Sequence, residues 1–238
     1  MWTRAELKDR AKAVLRSNYW QALLVSIIIA LVGGGNRGSG GSAGRDAGGI
    51  SGNNPEIYQI LIVIGIVFIL FRIFVGYQLE VGGRKYFVKS AQGDINFNYV
   101  GFSFKNGYTN VLWTMLYKAI LIFLWTLLLI IPGIVKSYAY RMVPYILADN
   151  PQIDYNRAIE LSNQMTMGEK FNIFVLDLSF IGWYILGMLA LIIGVIFVMP
   201  YEDAANAELY LVLRKKALDS GLCTYEELNL SSQDNYSF

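Results

Sequence analysis

The chain has 238 residues, of which 55% are hydrophobic and only 16% charged, with a mean hydropathy of +0.40. A typical soluble domain carries roughly 25% charged residues, so this composition cannot cover a water-facing surface and a bilayer is the expected solvent. A net charge of +2 makes no basic face for nucleic acid. The chain has no histidine, and its one cysteine, Cys223, forms no intrachain disulfide; zinc ligation by histidine and Ser-His or Cys-His catalysis are thereby removed.

A bilayer core about 30 Å thick needs roughly 20 apolar residues of helix. Open-edged sheets cannot stand in lipid, and the ten-residue alternation of barrel strands is missing. The expected fold class is therefore all-α, a polytopic membrane helix bundle of about six membrane helices preceded by an amphipathic helix. Three regions are expected: an interfacial helix over 1–17, a membrane domain over 18–216, and a polar C-terminal tail over 217–238.

The first segment has capping-box spacing at Thr3 and Glu6. Ala5, Leu7, Ala11, Val14 and Leu15 form an apolar face. Arg4, Lys8, Arg10, Lys12 and Arg16 make the rest basic. Such a helix is expected on the anionic lipid surface, leading into an uncleaved first span near 18–32 with Tyr19 and Trp20 at the interface. Residues 33–54, rich in Gly, Ser and Asn, read as a flexible connector; neither GxGxxG nor a Walker A pattern occurs there. The second span is expected near 57–79 and the third near 111–131. Pro132-Gly133 is expected to make a tight turn into a short fourth helix, 134–148. Asp149-Asn150-Pro151 is a break, and 154–168 reads as a polar helix outside the membrane.

Residues 171–198 fit one long span, or one span followed by a turn near Gly194 and a sixth helix over 195–213. Charge separates the two. With six helices, fourteen Lys and Arg residues fall on one side and only Arg37 and Arg45 on the other. Under the positive-inside rule both termini are then cytoplasmic, the last helix being polar and bent at Pro200.

Four charges at membrane depth form the candidate polar cluster: Lys118, Lys136, Arg141 and Asp177. Each costs about 2.5–3.5 kcal/mol at the bilayer centre. They either pair internally or snorkel, line a ligand cavity, or relay protons or ions. Glu202, Asp203 and Glu208 are further acids in the last helix. Depth favours Asp177 as the partner of Arg141, with Lys118 competing for it.

The run IPGIVKSYAYRMVPYILADNP, with Ala158, Ser162 and the later Pro200, Tyr201 and Ala207-Glu208-Leu-Tyr210, resembles the signature of domain-of-unknown-function family 975, a set of bacterial integral membrane proteins. Its matching positions are Pro132, Gly133, Tyr138, Pro144, Asp149, Asn150, Pro151, Ser162, Pro200 and Tyr201. ELKDRAKAVLRSNYWQALLVS resembles the start of that family. The Pro-Gly hairpin with the A-x-x-x-S helix is also similar to the membrane domain of some glycerophosphodiester phosphodiesterases, whose catalytic barrel is not part of this pattern. The resemblance implies a multi-pass protein of the bacterial cytoplasmic membrane and supplies no catalytic residue, metal or cofactor. The expected function is a non-enzymatic membrane module in contact with membrane lipids, binding lipid, peptide or a partner protein. The alternative is a small transporter or permease-like protein using the intramembrane charges, against which stands the lack of an internal repeat.

Overall fold

In a computed structural model, residues 2–32, 55–189 and 193–230 are described. The Gly-rich segment, the residues just before Gly194 and the last eight residues lie outside them. Every regular element among the described residues is helical.

The N-terminal segment and first span form one helix, α1 (Arg4–Leu31), capped by the Thr3 hydroxyl, which accepts from the Glu6 amide at 3.3 Å. Asn18 has non-helical dihedrals (φ −137°, ψ 24°) and breaks α1 into two arms where the interfacial helix was expected to meet the span. The first arm departs from expectation. Leu7, Ala11 and Leu15 are buried, α1 packs mainly on the last helix, and its apolar face is covered by protein rather than lipid. An apolar stripe of this kind is stabilised by whatever excludes water from it, and a neighbouring helix does so as well as an acyl chain.

The second span is α2 (Pro55–Phe71), which continues through a π-helical turn (Arg72–Gly76) into α3 (Tyr77–Ala91). Side chains from Tyr58 to Phe71 are largely exposed and apolar, whereas those from Gly76 to Ala91 are mostly buried. The π turn marks the change. There Arg72 donates to the carbonyl of Val32, closing the C-terminus of α1 instead of reaching water. Gly82 and Gly83 let α3 approach its neighbours closely: a Cβ on Gly82 would stand 2.0 Å from the Val100 carbonyl oxygen, and one on Gly83 2.6 Å from Ile29.

After a 3-10 turn (Phe97–Gly101) and the short α4 (Phe102–Lys105), the third span is α5 (Tyr108–Leu128). The chain reverses at Leu129, which is extended (φ −157°, ψ 139°), and not at Pro132-Gly133. Those two residues lie in the first turn of α6 (Ile130–Ala139). Proline is tolerated there because the first-turn amides have no intrahelical acceptor. Gly133 faces α5 so closely that a Cβ would meet the Thr126 hydroxyl at 2.3 Å.

The fourth helix is split. α6 ends at Ala139, and α7 (Val143–Asp149) starts with Pro144 in its first turn. α8 (Tyr155–Met165), capped by the Asp154 side chain, follows. α9 (Lys170–Leu189) and α10 (Ile193–Asp219), with Pro200 inside it, are two helices, as the charge argument required. By length and composition four helical stretches can cross a membrane: 4–31, 58–91, 108–128 and 170–188. The six-span count goes beyond these four, because α6 and α7 are each too short to span and α10 is too polar to qualify.

The C-terminal region also departs from the expectation of a polar tail. Residues 217–219 complete α10, and the chain then folds back, burying Cys223 and Leu228. Arg157 of α8 holds this segment: its Nε donates to Glu227 Oε1 at 2.5 Å and its Nη2 to the Leu222 carbonyl at 2.6 Å.

Candidate functional site

α10 carries a polar stripe at helical spacing, Asp203, Asn206, Tyr210 and Arg214, all 3% exposed or less. Residues three and four apart share a helix face, and this face is turned into the bundle. Its members meet several different elements. Asp203 accepts from Arg84 of α3 at 2.8 Å and from Ser26 of α1 at 2.6 Å. Asn206 accepts from Arg141, in the turn between α6 and α7, at 2.7 Å. Tyr210 and Arg214 both donate to Asp149 Oδ2 at the end of α7, at 2.7 and 2.8 Å. The Arg84 guanidinium stands over the Tyr145 ring (5.3 Å), and that ring stacks on Tyr210. The result is one continuous buried network of paired charges, phenols and amides.

Arg141 and Asp177, the pair expected from depth, are joined by two hydrogen bonds: Nη1 to Oδ2 at 2.6 Å and Nη2 to Oδ1 at 2.7 Å. Such a fork is the strongest geometry open to an ion pair. The Tyr138 hydroxyl donates to the same carboxylate at 3.0 Å. Arg141 is 4% exposed, so its charge is neutralised internally and does not snorkel. Lys136 takes a different route, its ammonium standing over Trp125 at 5.1 Å and Tyr140 at 5.6 Å, a cation–π arrangement. Lys118 is half-buried and has no hydrogen bond or ion pair among the described residues. It does not reach Asp177. The four candidates are thus not one cluster: Arg141 and Asp177 come together, while Lys136 and Lys118 stay apart from them. Of the remaining acids, Glu202 is bonded to the Tyr184 hydroxyl, and Glu208 is buried where α10 faces α1.

The motif positions are the joints of this network. Tyr138 and Asp149 are members of it. The Ser162 hydroxyl donates to the Ala139 carbonyl at 2.8 Å and accepts the Met142 amide at 3.1 Å, satisfying backbone groups left open where the fourth helix breaks. The Asn150 side chain donates to the Glu227 carbonyl, and the Pro151 carbonyl accepts from Asn110. Pro200 removes one helix hydrogen bond, and beside it the Tyr19 hydroxyl donates to the Phe197 carbonyl at 3.1 Å. Tyr201 packs edge-on against Phe180 and Trp183.

Sequence reasoning missed Arg84, and it named Asp149 as a motif position at a chain break without its partners Tyr210 and Arg214. The signal for Arg84 was its setting, VGGRKYFV, where apolar and small residues on both sides mark a buried helix.

The fold and this network define a protein that is all-helical among the described residues, with several helices long and apolar enough to cross a membrane and with Arg84, Arg141 and Arg214 paired with acids in the interior. Residues 110–217 match the family model described as Protein of unknown function (DUF975), so the resemblance drawn from the motif holds over that segment. The matched segment runs from the first turn of α5 to the last turn of α10 and takes in all the motif positions just described. No curated protein and no solved structure matches the chain.

Proposed function

We propose that this chain is a non-enzymatic multi-pass module of the bacterial cytoplasmic membrane that presents a binding surface to lipid, peptide or a partner protein, with both termini cytoplasmic. The observation that supports it is the bidentate Arg141–Asp177 pair, closed off by Tyr138 and Asn206. A carrier that handles a solute with these groups needs them open to water during part of its cycle. Here the charges are spent on each other, and Arg84 and Asp203 repeat the pattern. The lack of histidine supports the non-enzymatic reading, and the one-sided distribution of Lys and Arg supports the orientation. Lys118, which makes no hydrogen bond or salt bridge among the described residues, is the feature that favours the permease-like alternative.

Substituted-cysteine labelling tests both parts in a Cys223→Ser background. Cysteine at Asn206 should resist a membrane-impermeant thiol reagent from either side, and cysteine at exposed Ser220 should react only from the cytoplasmic side. Labelling at position 206 would overturn the closed-network reading. Periplasmic labelling at position 220 would overturn the orientation.

A further inference from the structure

The first arm of α1 spends its apolar face on α10, which leaves its cations to be explained. Arg4, Lys8 and Lys12 are spaced four apart and form a stripe rising about 6 Å per step. The stripe runs beside α9, one of the helices long and apolar enough to cross a membrane. The Lys8 ammonium donates to the Ser179 carbonyl at 3.1 Å and stands over the Phe180 ring at 4.4 Å. Lys12 stands over Tyr201 at 5.9 Å and is paired with Asp9. Neither Arg4 nor Lys8 has a carboxylate partner among the described residues. Glu169, the acid nearest the start of α9, is already taken by Lys216 at 2.8 Å and Asn172 at 3.1 Å. Where the stripe begins there is an open cleft of about 480 Å³ between the two helices, walled by Trp2, Arg4, Ala5, Phe171, Asn172 and Val175. Beyond its mouth the outer face of α9 is apolar and exposed, with Phe171, Phe174, Leu178 and Ile181 between 44% and 74% exposed.

We propose that this groove between α1 and α9 binds an anionic phospholipid, its phosphate drawn to Arg4 and Lys8 and its acyl chains lying along α9. The charge and the shape agree. One cation lacking an acidic partner, Arg4, borders a cleft whose walls are mostly apolar, a second, Lys8, lies one turn further along the same groove, and the cleft opens onto a helix face that only hydrocarbon covers favourably. A soluble anion would use the cations and leave the apolar wall bare. A zwitterionic lipid would use the wall but bring a cation of its own beside its phosphate, so only an anionic lipid offers net negative charge to Arg4 and Lys8. The inference rests on the membrane reading above and names a lipid class for it.

The test uses the full chain purified in a neutral detergent. Binding of phosphatidylglycerol and of phosphatidylcholine with the same acyl chains is measured by native mass spectrometry. The unaltered protein should retain phosphatidylglycerol preferentially. Arg4→Gln, at an exposed position, should weaken that binding about five-fold, and Arg4→Gln with Lys8→Gln by more than ten-fold. Phosphatidylcholine binding should not change. Lys8→Arg should restore the preference, and Lys105→Gln, away from the groove, should leave it intact. Equal retention of the two lipids by the unaltered protein, or an unchanged preference in Arg4→Gln, overturns the proposal. Displacement of the lipid by inorganic phosphate at millimolar concentration also overturns it, in favour of a soluble anion site. Release of the unaltered chain from membranes by alkaline carbonate, without detergent, would instead defeat the membrane reading itself.

Discussion

Replacing Asp177 by leucine strands a guanidinium. Arg141 is 2% exposed in its side chain and Asp177 24%, and the two share both oxygens of the carboxylate. Removing one partner of a buried pair costs about 3–5 kcal/mol, because the other charge remains desolvated and uncompensated. The partial exposure of Asp177 and the surviving bond from Arg141 to Asn206 place the expected loss near the lower end, about 3 kcal/mol. The Tyr138 hydroxyl loses its acceptor as well. Asp177→Asn keeps one acceptor and should cost less. The double variant Arg141→Met with Asp177→Leu replaces the pair by apolar groups and should recover most of the loss, since such replacements are often close to neutral. Unfolding of the purified protein in mixed micelles, measured for wild type, both single variants and the double, gives the coupling energy directly. A coupling above about 2 kcal/mol is expected. A coupling near zero, with Asp177→Leu as stable as wild type, would mean that Arg141 finds water or another acid, and the account of a closed interior network would be wrong.

Three further outcomes follow from other parts of the fold. Burial, with Glu227 adding to it, pushes the Cys223 thiol up to about 11, so at pH 8 it should react with iodoacetamide far more slowly than a free cysteine; Arg157→Ala, which removes the bonds to both Glu227 and the Leu222 carbonyl, should release the C-terminal segment and speed labelling, and no change would show that Arg157 does not hold it. Gly82→Ala places a methyl group 2.0 Å from the Val100 carbonyl oxygen and should destabilise by at least 1–3 kcal/mol in the same assay, whereas Gly182→Ala, whose Cβ meets nothing within 4 Å, should be neutral. Burial works to raise the Glu169 carboxyl, but hydrogen bonds from Lys216 and Asn172 win and hold it below its ordinary 4.5; its contribution is therefore present above that value and lost as pH falls through the lowered one, so the acid limb of a stability profile should become shallower in Lys216→Met, and an unchanged profile would remove Glu169 from the account.

Much of the chain could be read before any coordinates. Hydropathy marked the helices because lipid imposes one rule along the whole length of a span, that every backbone polar group be satisfied within it. That rule is local, so local composition reveals it, as the apolar stretch from Tyr58 to Phe71 and the capping box at Thr3 illustrate. The pairing of Arg141 with Asp177 was also legible, because burying a charge is costly enough to leave few partners at the right depth.

What the sequence did not reveal were the features set by contact between distant segments. The apolar stripe of Leu7, Ala11 and Leu15 serves equally well against lipid or against α10, and only the packed structure decides between them. Pro132 is compatible with a turn or with the first turn of a helix, and the extended Leu129 settles which. Arg84 and Asp203 are 119 residues apart, and Arg214 and Asp149 are 65 apart. No periodicity within either segment names the other. The sequence by itself determined where the main apolar helices lie and that Arg141 and Asp177 must be neutralised, because both follow from the cost of polar groups out of water. Only the tertiary structure decided which helix covers which face and which acid meets which base, because those depend on where the chain breaks at Asn18, Leu129 and Tyr140–Met142 and on how closely Gly82, Gly83 and Gly133 let the helices approach.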